Sequence, residues 1–115
     1  MTESIVDLRD TCRRLNLAGW PILFDLTLEQ IEQSYNGIGS AAMPQVVRWT
    51  LTEINSALIP AALLHDVAWD YACETEADFY ESNEAFEHNG RICADDAYSA
   101  MDPRRYFFRL QASKY

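Results

Sequence analysis

An adjacent histidine and aspartate, His65 and Asp66, lie within an otherwise apolar run of the sequence that ends near Trp69. A neutral imidazole is a general base near neutral pH, and a carboxylate is a ligand for hard cations such as calcium. Burying such a pair is costly unless each group finds a partner. Three explanations fit: a satisfied structural histidine, a metal-dependent phosphohydrolase of the His-Asp type, and a hydrolase in which the two residues have separate roles.

The phosphohydrolase explanation fails on the number of candidate metal ligands. That type of site uses a further histidine upstream of the His-Asp pair and a distant aspartate. The only other histidine of the sequence is His88, which follows the pair. The structural explanation, in which a carbonyl and a nearby acid satisfy His65 while Asp66 points to solvent, stays open beside the hydrolase.

The helices that must position this pair are predicted from apolar spacing and from capping signals. The predicted helices are about 3–15, 27–35, 44 to 57 or 59, 61–73, 75–101 and from Asp102 onward. Residues 19–24 break the helical period and are predicted to form a loop or a short extended piece. Strand signals are nearly absent, so the sequence predicts an all-α, compact single-domain helical bundle over residues 1–115, with five to six helices and a central antiparallel pair.

Three details of these helices are testable predictions. The helix after Pro60 is apolar nearly all round, which places it centrally in the core. The next helix carries an apolar stripe down to Met101, and Gly90 is a candidate break within it. The last helix, which Asp102-Pro103 starts, has Phe107, Phe108 and Leu110 as its apolar residues.

Three separate segments resemble small phage and prophage proteins that carry a phospholipase A2-like helical hairpin. The segments are Asn-Gly-Ile-Gly at 36–39, Leu-Leu-His-Asp-Val-Ala-Trp at 63–69, and Ser-Asn-Glu-Ala-Phe-Glu-His-Asn at 82–89. The pattern of that family is a glycine-containing loop, an HD-x-x-Y motif and a helix with a small-Asp/Asn-x-x-Phe-x-x-Asn signature. The resemblance covers about residues 36–90 and implies calcium as cofactor.

The resemblance also implies roles for five residues. His65 corresponds to the general base that activates a water, and Asn83 to the side chain that orients the imidazole. Asp66, with the loop carbonyls of Gly37 and Gly39, corresponds to the calcium site. Two departures stand out. Trp69 replaces the tyrosine of the motif, and Asn83 replaces a carboxylate, a kind of change that costs about 10⁴ in rate in a comparable His-carboxylate system.

The charge of the chain is concentrated in one segment. The formal net charge is -9 over 115 residues, and residues 66–102 hold eleven acids and one arginine, whereas residues 103–115 hold four basic residues and no acid. This charge argues against direct nucleic-acid binding. A solvated acidic helix face with the basic tail folded back on it is one explanation. A surface that docks a basic partner is the other, with these candidate residues: Asp78, Glu81, Glu84, Glu87, Asp95 and Asp96.

The cysteines and the apolar runs indicate the compartment. Cys12, Cys73 and Cys93 are widely spaced without a C-x-x-C pair, which predicts reduced thiols. No apolar run approaches about 18 residues, so no membrane span is predicted. The acidic, amphipathic start of the chain is unlike a secretory signal. The expected location is a bacterial host cytoplasm.

Two classes of function remain. In the first, a small acidic phage-type protein binds a basic protein of host or phage without catalysis, for example as an inhibitor of a host nucleic-acid-binding or defence complex. In the second, the chain is a calcium-dependent phospholipase or esterase that uses His65 as base on a lipid substrate. The uncharged Asn83 favours the first class, with a degenerate phospholipase A2-like scaffold.

Overall fold

The computed structural model describes residues 4–35 and 56–113, and within these ranges it contains six α-helices and no strand. A 3₁₀ turn over Ser56–Leu58 leads into the fourth of them. The helices are α1 (Ile5–Arg14), α2 (Ile22–Asp25), α3 (Leu28–Ser34), α4 (Ile59–Tyr71), α5 (Glu76–Ala97) and α6 (Pro103–Ala112). The predicted all-α bundle is confirmed.

The capping signals in the sequence mark the starts of the helices as predicted. Thr27 and Gln30 form a reciprocal capping box at α3, and Thr75 and Asp78 form another at α5. Each box satisfies backbone N–H groups that the first helical turn leaves without a partner. Pro60 occupies the first turn of α4, where its missing N–H costs nothing.

Helices α4 and α5 form the predicted antiparallel pair. Leu58, just before α4, lies near Gly90 late in α5, whereas the Trp69 ring is 4.7 Å from Phe79 early in α5. Six residues of α4 are buried, which agrees with its nearly uniform apolar surface. The core that surrounds this pair combines Leu8, Cys12, Leu17, Leu23, Ile31, Leu63, Val67, Phe86, Cys93, Ala94 and Phe108.

Gly90, the candidate break of the sequence analysis, does not interrupt α5. The helix runs without interruption through Gly90, and a Cβ added there would be 2.5 Å from the Cβ of Ala112 in α6. The missing side chain therefore permits the close approach of α5 and α6. The structural role of Gly90 is packing between helices.

Two other predictions were wrong in detail. Residues 22–25 form the short helix α2 where a loop or extended piece was expected. Helix α5 ends at Ala97, so Met101 is outside it and is 91% exposed. In α6 the buried residues are Phe108 and Ala112, while Phe107 and Leu110 are exposed. Apolar composition alone did not show which side of α6 faces the core.

The loop after α1 is fastened to α5 by one buried amide. Asn89, which is 2% exposed, accepts a hydrogen bond from the Ala18 N–H at 2.8 Å and donates one to the Ala18 carbonyl at 3.2 Å. Both backbone groups of Ala18 are thereby satisfied, so the loop lies against the hairpin beside α4. The predicted helix from Pro44 lies outside the described residues. Within the described ranges, no helix is long and apolar enough to cross a bilayer.

Candidate functional site

The predicted pair of His65 and Asn83 is brought together across the hairpin. The imidazole Nε2 of His65 is 2.9 Å from Oδ1 of Asn83. An amide oxygen only accepts, so with this orientation Nε2 carries the proton and Nδ1 is the unprotonated nitrogen of the neutral ring. The two side chains stand 18 residues apart in the chain. Their contact depends on the antiparallel register of α4 and α5.

Aromatic rings hold the imidazole of His65 on two further sides. Its centroid is 5.4 Å from the ring of Trp69 and 5.3 Å from that of Phe86. Only 19% of the His65 side chain is exposed. Trp69 therefore forms an apolar wall beside the imidazole.

Asp66 lies beside His65 but is not hydrogen-bonded to it. Its Oδ1 is 3.9 Å from Nδ1 of His65, and 14% of its side chain is exposed. Burial, with the nearby charge of Asp66, raises the pKa of Tyr35 to about 12. Tyr35, at the end of α3, was not predicted as a neighbour of this site, because no sequence pattern links α3 to α4.

The predicted calcium site combines Asp66 with the loop carbonyls of Gly37 and Gly39. Gly37 and Gly39 lie outside the described residues. Among residues 4–35 and 56–113, no group of three or more His, Cys, Asp or Glu side chains is placed to hold a metal ion. The calcium site therefore stays a prediction.

A cavity of about 490 Å³ opens beside His65. Its walls are mainly apolar and come from α4, α5 and the loop after α1, with Leu64, Ala68, Ala85 and Phe86 among them. A cavity of this volume lies within the range of small-molecule sites, which is about 300–1,000 Å³.

Four of the six predicted docking carboxylates have partners within the chain. Asp78 accepts from the N–H groups of Glu74 and Thr75 at 3.0 Å, and these bonds hold its pKa below the usual range. Glu87 pairs with Arg91, and Asp96 pairs with Arg14. Asp78 contributes to helix capping, Glu87 to an ion pair within α5, and Asp96 to an ion pair between α5 and α1.

Asp95 is the most heavily paired carboxylate. Arg105 Nε is 2.7 Å from its Oδ1 and Arg109 Nη1 is 2.6 Å from its Oδ2. The hydrogen bond from Arg105, followed by that from Arg109, lowers the pKa of Asp95. The predicted folding of the basic tail onto the acidic segment is therefore seen at this position.

The remaining two predicted docking residues, Glu81 and Glu84, are exposed and make no ion pair within the described part of the chain. Three further exposed carboxylates share this property along the end of α4 and the start of α5. We call the set of five the acidic end: Asp70, Glu74, Glu76, Glu81 and Glu84. The sequence contains no lysine or arginine between Asp66 and Gly90.

Two polar residues near the cavity were missed as functional candidates. Asn89 positions the loop that forms one wall, and Ser82 is a buried polar residue in the lining. Both stand on the stripe that Phe86 and Cys93 define on α5. The sequence signal that could have identified them is a polar residue within an apolar stripe.

In comparisons with protein-family models, curated proteins and solved structures, the chain finds no match.

Proposed function

We propose that this protein is a non-catalytic binding protein whose acidic end docks a basic protein of host or phage. The observation that carries the proposal is the segregation of charge along the hairpin. Carboxylates at the carboxyl-terminal half of α5 are neutralised by arginines, whereas those of the acidic end have no basic partner among the described residues. Uncompensated charge on one surface favours a partner of opposite sign.

The chemistry of that partner follows from the charge. Five exposed carboxylates attract lysine- and arginine-rich surfaces, such as those of nucleic-acid-binding proteins, and repel nucleic acid itself. We infer a function as an inhibitor that occupies the basic surface of a host nucleic-acid-binding or defence complex. Such surfaces associate rapidly and lose affinity as salt rises, because the Debye length falls to about 3 Å at 1 M salt.

The neutral amide of Asn83 supports a non-catalytic function. During general-base catalysis His65 becomes an imidazolium, which a carboxylate stabilises by charge and an amide does not. Asn83 therefore orients the ring of His65 without supporting its protonation. The scaffold is accordingly interpreted as a degenerate phospholipase A2-like hairpin.

The test compares two variants with the same change in net charge. The double variant Asp70→Asn/Glu84→Gln removes two of the five charges of the acidic end, and Asp25→Asn/Glu32→Gln removes two exposed carboxylates on α2 and α3. Capture from bacterial lysate at low and high salt, followed by titration of the captured protein, measures binding. We expect the first double variant to lose affinity at least tenfold and the second to keep it. Equal losses, or binding that high salt leaves unchanged, would refute docking by the acidic end.

A second candidate function, ester hydrolysis, is favoured by one observation. Nε2 of His65 is hydrogen-bonded to Asn83, whereas Nδ1 has no hydrogen bond among the described residues. In this function Nδ1 takes a proton from water as its oxygen attacks the ester carbonyl carbon. The imidazolium then returns the proton to the departing alcohol as the C–O bond breaks, which yields an acid and an alcohol.

The substitution Asn83→Asp tests this second candidate. A carboxylate at that position would stabilise the imidazolium, so hydrolysis of mixed liposomes at millimolar calcium should rise at least tenfold. His65→Gln in the same background should remove the added activity. If Asn83→Asp gains no activity while it remains folded, the hydrolase alternative loses its support.

A further inference from the structure

The outward side of α6 carries an exposed apolar stripe. The buried residues of this helix, Phe108 and Ala112, face the core. On the opposite side, residues at helical intervals of three and four are apolar and exposed: Pro103, Tyr106, Phe107 and Leu110. Apolar residues scattered singly over a surface are ordinary, whereas a continuous apolar patch marks an interaction surface.

Two side chains of the stripe are held in place by their own chain. The hydroxyl of Tyr106 donates to the Ala100 carbonyl at 2.9 Å, and the ring of Phe107 packs edge-on against that of Phe108 with centroids 5.2 Å apart. Ordering of side chains on binding costs free energy, and the cost is lower where they are already fixed. The stripe is therefore an ordered contact surface.

The arginines beside the stripe are bonded within the chain. All three arginines of α6 reach an aspartate: Arg104 binds Asp102, and both Arg105 and Arg109 bind Asp95. Three arginines against two aspartates leave a local balance of only +1. Two copies that meet through α6 therefore repel each other little at this place, although the whole chain carries a net charge of -9.

The spacing of the stripe suits pairing with a second copy of itself. Two identical helices that cross antiparallel about a two-fold axis present the same residues in reverse order. With the axis between positions 106 and 107, Tyr106 of one copy lies opposite Phe107 of the other, and Pro103 lies opposite Leu110. Each apolar residue of the stripe thus meets an apolar residue.

The exposed apolar area is sufficient for a small dimer. Tyr106, Phe107 and Leu110 are 56%, 46% and 58% exposed, and Met101, just before the helix, is 91% exposed. At about 200 Å² for a whole large side chain, these four leave roughly 500 Å² open on each copy. Two copies would together bury roughly 1,000 Å², which is the lower bound for a specific interface and is typical of a weak, reversible one.

We propose that this protein forms a two-fold dimer through α6. The acidic ends stay apart in such a dimer, because Glu84, the last of their residues on α5, lies about 16 Å along the helix from Asp95. That separation is about twice the Debye length of about 8 Å at physiological salt. The dimer face is separate from the acidic end, so this inference goes beyond the docking of a basic protein.

Sedimentation equilibrium of the full chain between about 10 µM and about 1 mM tests the dimer. We expect the average mass to rise from 13.2 kDa toward twice that value. Leu110→Glu would bury a charge in each half of the interface and should weaken association at least about tenfold. Leu28→Glu makes the same change at an exposed leucine of α3 and should leave association unchanged. Both variants should keep the circular dichroism of the native protein, because both positions are exposed.

Salt distinguishes the apolar contact from a charged one. Raising salt from about 0.05 M to about 0.5 M should not weaken association, since screening reduces the repulsion between two acidic copies. Association that falls with salt would be a contact of the acidic end with arginines of another copy and would overturn the α6 dimer.

Three other results would overturn it as well. They are a native protein that stays monomeric at about 1 mM, equal weakening by Leu110→Glu and Leu28→Glu, and a monomer that adsorbs through α6 to phosphatidylglycerol vesicles. The last result would assign the stripe to a lipid surface. Because these variants leave the acidic end intact, failure here leaves the docking proposal standing.

Discussion

The two halves of the α4–α5 hairpin are built differently. In the closed half, around Leu58, Gly90 and Asp95, helix α6 packs closely and arginines neutralise the carboxylate. In the open half, around His65 and Glu81, a cavity opens beside α4, α5 and the loop after α1, and the carboxylates of the acidic end have no ion pair among the described residues. The carboxylates of the closed half pair with arginines of the chain, whereas those of the open half have no such pair among the described residues.

This difference separates residues that maintain the fold from residues that are candidates for function. The closed half combines a close helix contact with a paired ion cluster, both of which stabilise the folded chain. The open half keeps a cavity and unneutralised carboxylates, each of which costs stability. Features that cost stability persist more readily where a ligand or partner compensates for them. Substitutions in the two halves should therefore differ in how much stability they cost and in how far along the chain their effect extends.

The largest effect is expected from Gly90→Ala in the closed half. The added Cβ would overlap the Cβ of Ala112 at 2.5 Å. Overpacking of this kind costs about 1–3 kcal/mol, against which alanine gains about 1 kcal/mol in helix propensity. Urea denaturation should show a net loss of up to about 2 kcal/mol. Combining Gly90→Ala with Ala112→Gly should recover part of the lost stability. If no stability is recovered, Gly90 and Ala112 are not in contact.

Removal of the α5 cap should have a smaller and local effect in the open half. Thr75 accepts from the Asp78 N–H at 3.2 Å, and Thr75→Ala leaves that group without its partner. The expected loss is about 1 kcal/mol. Amide hydrogen exchange should accelerate near Phe79 and stay unchanged near Cys93. Equal acceleration along α5 would show that the two halves open together.

The Asp95 cluster should give a modest, pH-dependent effect. Because the folded pKa of Asp95 lies below its ordinary value of about 3.9, its pairing stabilises the protein above that pH and is lost as pH falls through the lower folded value. About a third of each partner is exposed, so Asp95→Asn should cost about 0.5–1 kcal/mol at pH 7. The difference from the native protein should shrink in strong acid. Asp96→Asn, in a more exposed pair with Arg14, is the control and should cost less.

Thiol labelling distinguishes the halves without altering their stability. Burial raises the pKa of Cys12 and of Cys93 to about 12, whereas Cys73 is half-buried at the cavity. Iodoacetamide should therefore modify Cys73 first in the folded protein and all three thiols after unfolding. Mass spectrometry counts the labels. Early modification of Cys93 would indicate that the closed half opens as readily as the cavity half.

The local signals of the sequence determined most of the secondary structure. The capping boxes at Thr27 and Thr75 and the proline at position 60 act within one helical turn, so their effects are readable from neighbouring residues. The apolar surface of α4 likewise determined its central place. The resemblance to a helical hairpin also anticipated that His65 and Asn83 would be neighbours.

Only the tertiary structure decided which polar and charged groups have a hydrogen-bond or ion-pair partner. Gly90 is a contact point because Ala112 of α6 approaches it. The charge of Asp95 in α5 is compensated because Arg105 and Arg109 of α6 bind its carboxylate. Ser82 is buried on α5 although its residue type is typical of exposed positions. Each of these outcomes depends on distances between helices, which no local pattern of residues encodes. The sequence by itself thus determined the helices and the total charge, whereas packing decided which charges and polar groups remain free to bind.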